Sequence, residues 1–146
     1  MDKGKFDDYL EKRYYDQIKW YSEKAAQNKN RFQTLLVVTT VFSILVPVLL
    51  FVRNDFLEVI AIVFSAIVAI STALTRSFTY QENWINYRTV SETLKKEINF
   101  YNARLGDYHD TDDPEALFVS RVENTISREN TMWVICQSSA KEKSSS

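Results

Sequence analysis

Polar and apolar positions change their rhythm twice along this chain. Phe6, Leu10, Tyr14, Gln17, Tyr21, Ala25, Asn28 and Phe32 recur at three- and four-residue steps, the spacing that gathers side chains on one face of an α-helix. The alternation then stops. Residues 35–52, LLVVTTVFSILVPVLLFV, carry no charge, and residues 56–74, FLEVIAIVFSAIVAISTAL, carry only Glu58. Each run is long enough for a helix to cross a hydrocarbon core. A soluble helix would turn polar residues to water at every third or fourth position. Residues 35–51 offer only Thr and Ser, whose hydroxyls bond back to their own helix backbone. Glu58 sits within a turn of the membrane interface, where a carboxylate costs far less than at the bilayer centre. The helical rhythm then returns in Tyr80, Trp84, Tyr87, Ser91, Leu94, Ile98, Tyr101 and Leu105.

The pattern predicts an all-α membrane protein, a single domain over residues 1–146. Its main feature is a long two-helix transmembrane hairpin that extends into a cytoplasmic helical stalk, followed by a C-terminal amphipathic helix. Helix one is expected over residues 7–52 with its span at 35–52, and helix two over 56–105 with its span at 56–74. Arg53, Asn54 and Asp55 join them, and Gly106 supplies the left-handed cap that ends helix two. At 1.5 Å rise per residue each helix is about 70 Å long, roughly half of it outside the membrane. Asp113 caps a third helix over 113–136, with Pro114 at its first position and Glu115 in its first turn. Leu117, Val122, Ile126 and Trp133 give this helix an apolar face, and residues 137–146 read as a disordered tail.

Composition sharpens the picture. With two Gly and two Pro in 146 residues, helix breakers are scarce. A formal net charge of −1 excludes a nucleic-acid binder that relies on a phosphate-matching excess of cations. The single cysteine, Cys136, has no intrachain partner, which suits a reducing cytoplasm. The first apolar run begins more than thirty residues in, unlike a signal peptide. Lys12, Arg13, Lys19, Lys24, Lys29 and Arg31 precede the first span; Arg76, Arg88, Lys95 and Lys96 follow the second; the connecting loop holds only Arg53. Cations gather on the cytoplasmic side of membrane helices, so both termini of this multi-pass chain are expected there.

Catalysis has little to stand on. The one histidine, His109, has no metal-ligand or triad spacing around it, and no phosphate-cradling glycine loop occurs, so no enzyme and no cofactor or metal is expected. Asp107, Asp110, Asp112 and Asp113 lack calcium-loop spacing and read as turn and cap residues. The spans say more. Ala61, Ser65, Ala69 and Ala73 repeat at four-residue steps, marking a face for close helix packing. Thr39, Thr40, Ser43 and Pro47 form a hydroxyl stripe ending at a proline, which either lines a pore or glues helices together. Two spans cannot enclose a path, so conduction requires a homo-oligomer, with Asp55 and Glu58 as an acidic collar at the mouth that attracts cations. The expected partners are membrane lipids, inorganic ions and further copies of the chain, with no nucleic acid. A non-conducting membrane scaffold that recruits a cytoplasmic partner through its stalk is the alternative.

RYYDQIKWYSEKAAQNKNRF before the hairpin, FTYQENWINYRTVSETLKKEINFYNARLGDY after it and the final LFVSRVENTISRENTMWV together resemble the bacterial SLATT superfamily of two-span effector domains, and look similar to its stand-alone branch of unknown function. The resemblance implies a pore-forming or membrane-perturbing effector of a conflict system in the bacterial inner membrane. It also implies a trigger, either a cytoplasmic sensor protein or a nucleotide ligand. Gln81, Glu82, Asn83, Trp84 and Arg88 lie in its most specific block and are candidates for coupling stalk to membrane, Arg88 with Glu92 as the simple helical ion pair.

Overall fold

A computed structural model describes residues 3–128, and all regular structure among them is helical. Helix α1 (Lys3–Tyr9) runs through a π-helical turn, Leu10–Tyr14, into α2 (Tyr15–Phe51). Helix α3 (Asp55–Phe78) and α4 (Tyr80–Asn102) follow. A 3-10 turn, Gly106–Tyr108, then leads to α5, residues 114–128.

Two stretches, Gly4–Phe51 and Asp55–Phe78, are long and apolar enough to cross a membrane. Pro47 lies inside α2 without ending it. The hairpin connection is 52–54 rather than 53–55. Arg53 (φ 48°) turns the chain, and the Asn54 side chain accepts a hydrogen bond from the Phe56 amide at 3.0 Å. Asn54 therefore caps α3, and Asp55 already belongs to the helix. Asp55 and Glu58 occupy its first turn, where the unsatisfied amides of a helix N-terminus favour negative charge.

The second long helix is not continuous over 56–105. It breaks at Thr79, whose φ of 44° and ψ of 36° place a β-branched residue in the left-handed region, a sparsely populated conformation for such a side chain. The cause lies in the phase of the buried positions. In α3 the buried and half-buried set includes Leu57, Ala61, Phe64, Val68, Ser71 and Thr75; in α4 it includes Tyr80, Trp84, Tyr87, Ser91, Leu94, Ile98 and Tyr101. Each series keeps the alternating steps of four and three that hold one helix face against a partner. Between Thr75 and Tyr80 the step is five, which puts the second series about 140° out of phase with the first. One left-handed residue resets it. The freed end is bound locally, since the Asn83 amide donates to the Thr79 carbonyl at 3.0 Å and its side chain to the Phe78 carbonyl at 3.4 Å.

Helix α4 ends at Asn102, and its cap is Arg104 (φ 54°), not Gly106. The Leu105 amide donates to the Phe100 carbonyl at 3.0 Å and the Arg104 amide to the Tyr101 carbonyl at 3.2 Å, the paired bonds of a Schellman motif. Gly106 (φ 61°) opens the 3-10 turn instead. Since Arg104 carries the left-handed strain, Arg104→Gly is expected to raise stability by about 0.5–1 kcal/mol, the relief of strain less the added chain entropy of glycine. A shift of the denaturation midpoint at unchanged slope checks this.

The chain divides into two compact units: residues up to Glu23 together with those from Tyr87 onward, and Lys24–Asn86. The first unit has an aromatic core of Phe6, Tyr14, Tyr21, Val90, Leu94, Tyr108, Phe118, Val122 and Ile126. The fully buried Tyr14 hydroxyl donates to the Leu94 carbonyl at 2.6 Å, so the ring is buried without an orphaned polar atom. In α5 the inward positions are Phe118, Val122 and Ile126, with Leu117 at the margin. Asp113 accepts the Ala116 amide at 3.0 Å, and Pro114 needs no partner at the first helical position. Trp133, Cys136 and everything expected for 129–146 lie outside the described residues.

In the second unit, the buried and half-buried positions of α2 include Ala25, Asn28, Phe32, Leu35, Thr39, Phe42, Val46 and Leu49, in unbroken alternation of three and four. Phe42 meets Phe64 of α3 edge to face at 4.5 Å. The helices of this unit pack along that seam and leave their remaining faces uncovered.

Candidate functional site

Those uncovered faces are the candidate site of the second unit. None of the most apolar stretch of Gly4–Phe51 is buried within the chain, and only 11% of that of Asp55–Phe78. Val37, Ile44, Val48, Val59, Ile62 and Ile70 all stand exposed. Soluble monomers rarely expose so continuous an apolar surface, and the core helix of a soluble protein would be mostly buried.

The hydroxyl stripe divides. Thr39 is half-buried in the seam with α3, while Thr40, Ser43 and Pro47 lie on the exposed face at steps of three and four. Thr39 therefore leaves the group, because it sits at a seam position of the heptad pattern. The Thr40 hydroxyl donates to the Leu36 carbonyl at 2.8 Å. The small-residue stripe divides too. Ala61 is buried in the seam, whereas Ser65, Ala69 and Ala73 are exposed, since a strict four-residue repeat drifts by about 40° per step around a helix. Ser71, buried at 6% exposure, takes the small-residue role in the seam that the four-residue spacing did not reveal. Asp55 and Glu58 are exposed beside the hairpin turn.

At the other end of this unit, Gln81 and Glu82 are exposed, while Asn83 and Trp84 are half-buried. Phe78 and Tyr80 stack across the Thr79 break, centroids 5.4 Å apart. The Lys29 ammonium lies 5.8 Å from the Trp84 ring and the Arg31 guanidinium 6.0 Å from the Tyr80 ring. The candidate coupling block is thus split: Asn83 and Trp84 pack near the break, and Arg88 is an exposed residue of the first unit. Glu92 pairs with Lys95 at 3.2 Å rather than with Arg88.

The first unit holds two polar clusters, one between segments far apart in sequence and one among α4, α5 and the turn that joins them. Arg13 donates to both carboxylate oxygens of Glu123, at 2.6 and 2.8 Å, and the Tyr9 hydroxyl donates to the same group at 3.0 Å. Glu97 accepts from the Tyr108 hydroxyl at 2.5 Å and from Arg121 at 3.2 Å. Arg121 also binds Asp107 and lies 5.3 Å from the Tyr108 ring. Burial pushes the Tyr14 hydroxyl up to about 12, so it remains a donor across the physiological range. Both clusters tie α5 or the preceding turn to helices that come before them in the chain, which is a structural task. No group of His, Cys, Asp and Glu among the described residues converges as metal ligands would.

The Arg13 fork holds the Glu123 carboxyl below its usual 4.5. A carboxylate so depressed stabilises the fold above that pH and loses its contribution as pH falls through the lower folded value. The pair is partly solvated, so its worth is about 1 kcal/mol or less. Glu123→Gln is expected to lower stability by that amount at pH 7 and to make no difference well below pH 4, which paired melts at the two pH values check.

A family model described as a protein of unknown function, DUF4231, matches residues 16–116. No curated protein and no solved structure matches the chain.

Proposed function

We propose, on the premise that the chain belongs to the DUF4231 family, that it is a bacterial inner-membrane protein whose copies assemble into an ion-conducting pore. The observation that carries this reading is the uncovered apolar surface of both long helices, interrupted on α2 by Thr40, Ser43 and Pro47. Lipid solvates apolar faces, and a hydroxyl stripe on such a face gains from a neighbouring helix or from water. In this reading residues 35–52 and 56–74 cross the bilayer and both termini stay in the cytoplasm. The first unit forms the cytoplasmic stalk with α5 docked on it, and Asp55 and Glu58 ring the outer mouth. Ser65, Ala69 and Ala73 face a neighbouring copy. The SLATT resemblance supports an effector role in a conflict system, triggered by a sensor protein or a nucleotide acting on the stalk.

One observation favours the alternative scaffold. Thr40 already spends its hydroxyl on the Leu36 carbonyl and does not need a water-filled axis. Ion flux into liposomes separates the two. The pore reading expects flux from the wild-type chain that falls at least about tenfold in Ser43→Leu with the oligomer intact, the added bulk and lost hydroxyl narrowing and drying the path. It also expects altered cation preference in an Asp55→Asn, Glu58→Gln double variant. An inserted, oligomeric protein with no flux with or without nucleotides leaves the scaffold.

A further inference from the structure

We infer that the cytoplasmic end of the hairpin binds anionic phospholipid headgroups through Lys29, Arg31 and Arg76, with Tyr80 and Trp84 as the aromatic surface that positions the first two. The inference rests on the membrane reading above and adds a ligand class to it.

The argument begins with depth. The headgroup layer is about 5–8 Å thick on each side of the hydrocarbon core. Arg31 lies four residues before residue 35, about 6 Å along the helix, and Lys29 about 9 Å. Arg76 follows the second span by two residues. Arg31 and Arg76 therefore stand at headgroup level, and Lys29 about one ångström beyond it, within reach of its long side chain. Charge balance comes next. Between residues 25 and 34 there is no carboxylate, and between 74 and 86 only Glu82, against Lys29, Arg31 and Arg76. Among the described residues Lys29, Arg31 and Arg76 form no ion pair, although Lys12, Arg13, Lys95 and Arg121 of the first unit all do.

What Lys29 and Arg31 touch instead are aromatic rings, Trp84 at 5.8 Å and Tyr80 at 6.0 Å. A ring face attracts a cation without neutralising it, and Trp and Tyr themselves favour the interface. The long side chains are thereby held in place while their donors stay available to phosphate, which the Arg fork matches in bidentate fashion. Lys29 and Arg31 are two residues apart, about 200° around α2, so they flank the helix seam on opposite sides. That arrangement suits separate headgroups along a collar, not one enclosed pocket. A zwitterionic headgroup brings its own cation, so the local excess of positive charge selects lipids with net negative charge.

The test uses the full chain in mild detergent, after alkaline carbonate has shown that wild type and variants are membrane-inserted. Binding of phosphatidylglycerol, phosphatidylcholine and inorganic phosphate is measured by thermal stabilisation across a titration. Wild type is expected to prefer phosphatidylglycerol. The Lys29→Gln, Arg31→Gln double variant is expected to bind it roughly 30-fold more weakly, about fivefold per lost cation, whereas Arg53→Gln at the opposite end keeps the wild-type preference. Equal stabilisation by both lipids overturns the proposal, as does a double variant that retains the preference or inorganic phosphate that reproduces the effect. Wild-type protein extracted by carbonate overturns the membrane reading beneath it, a result distinct from loss of lipid preference.

Discussion

Ile44→Lys is expected to disrupt membrane insertion, lowering the insertion equilibrium of the first span about 60- to 300-fold. Ile44 lies near the middle of residues 35–52 and is 62% exposed on α2. A lysine at the centre of a membrane helix costs about 2.5–3.5 kcal/mol on insertion scales, and each 1.4 kcal/mol is a factor of ten. The same substitution has the opposite meaning in water. An exposed apolar residue replaced by lysine on a soluble helix changes stability by about 0.5 kcal/mol at most and improves solubility. The carbonate-resistant fraction of the variant therefore separates the two environments, because a fall relative to wild type requires lipid around position 44. An unchanged fraction would place this face of α2 outside the hydrocarbon.

The second large effect is expected in the first unit. Phe118 is fully buried and packs against the rings of Phe6 at 5.7 Å, Tyr14 at 5.1 Å and Tyr101 at 5.3 Å. Phe118→Ala removes the contact common to all three and leaves a cavity, at a cost of about 3–5 kcal/mol. That is a large share of the 5–15 kcal/mol typical of a whole domain. Phe118→Leu keeps much of the volume and is expected to cost far less, about 1.5 kcal/mol or below. Limited proteolysis gives a direct reading: cleavage in residues 103–113, which join α4 to α5, should accelerate strongly in Phe118→Ala and little in Phe118→Leu. Equal rates in the two variants would mean that α5 is held by its polar contacts, Arg13 with Glu123 and Arg121 with Glu97, and not by the aromatic core.

Several features were legible from order along the chain alone. The two apolar runs, the existence of a short turn between them, placed one residue too late, and the Asp113 cap depend on local composition and on the unsatisfied groups of helix ends, and these act within a few residues. The break at Thr79 was written in the sequence as well, in the five-residue step from Thr75 to Tyr80, but it shows only once each heptad series is known to face a partner. Runs of apolar residues hide phase, because every position of such a run looks eligible for the core.

Other features needed the tertiary structure. Arg104, not Gly106, takes the left-handed cap, since the last turn of α4 closes on the Phe100 carbonyl and residue preference alone favours glycine. Thr39 and Ala61 belong to the seam within the chain, whereas Thr40, Ser43, Ser65, Ala69 and Ala73 remain outside it. Rotations of about 40° to 100° around a helix decide that, and residue type does not. The pairs Arg13 with Glu123 and Lys29 with Trp84 join positions separated by 110 and 55 residues. By itself the sequence determined that the chain is helical and carries two runs apolar enough for a membrane, because hydrophobic length and end-capping are local quantities. Only the tertiary structure decided which face of each helix is already occupied and which is left uncovered, because facing is fixed by long-range packing.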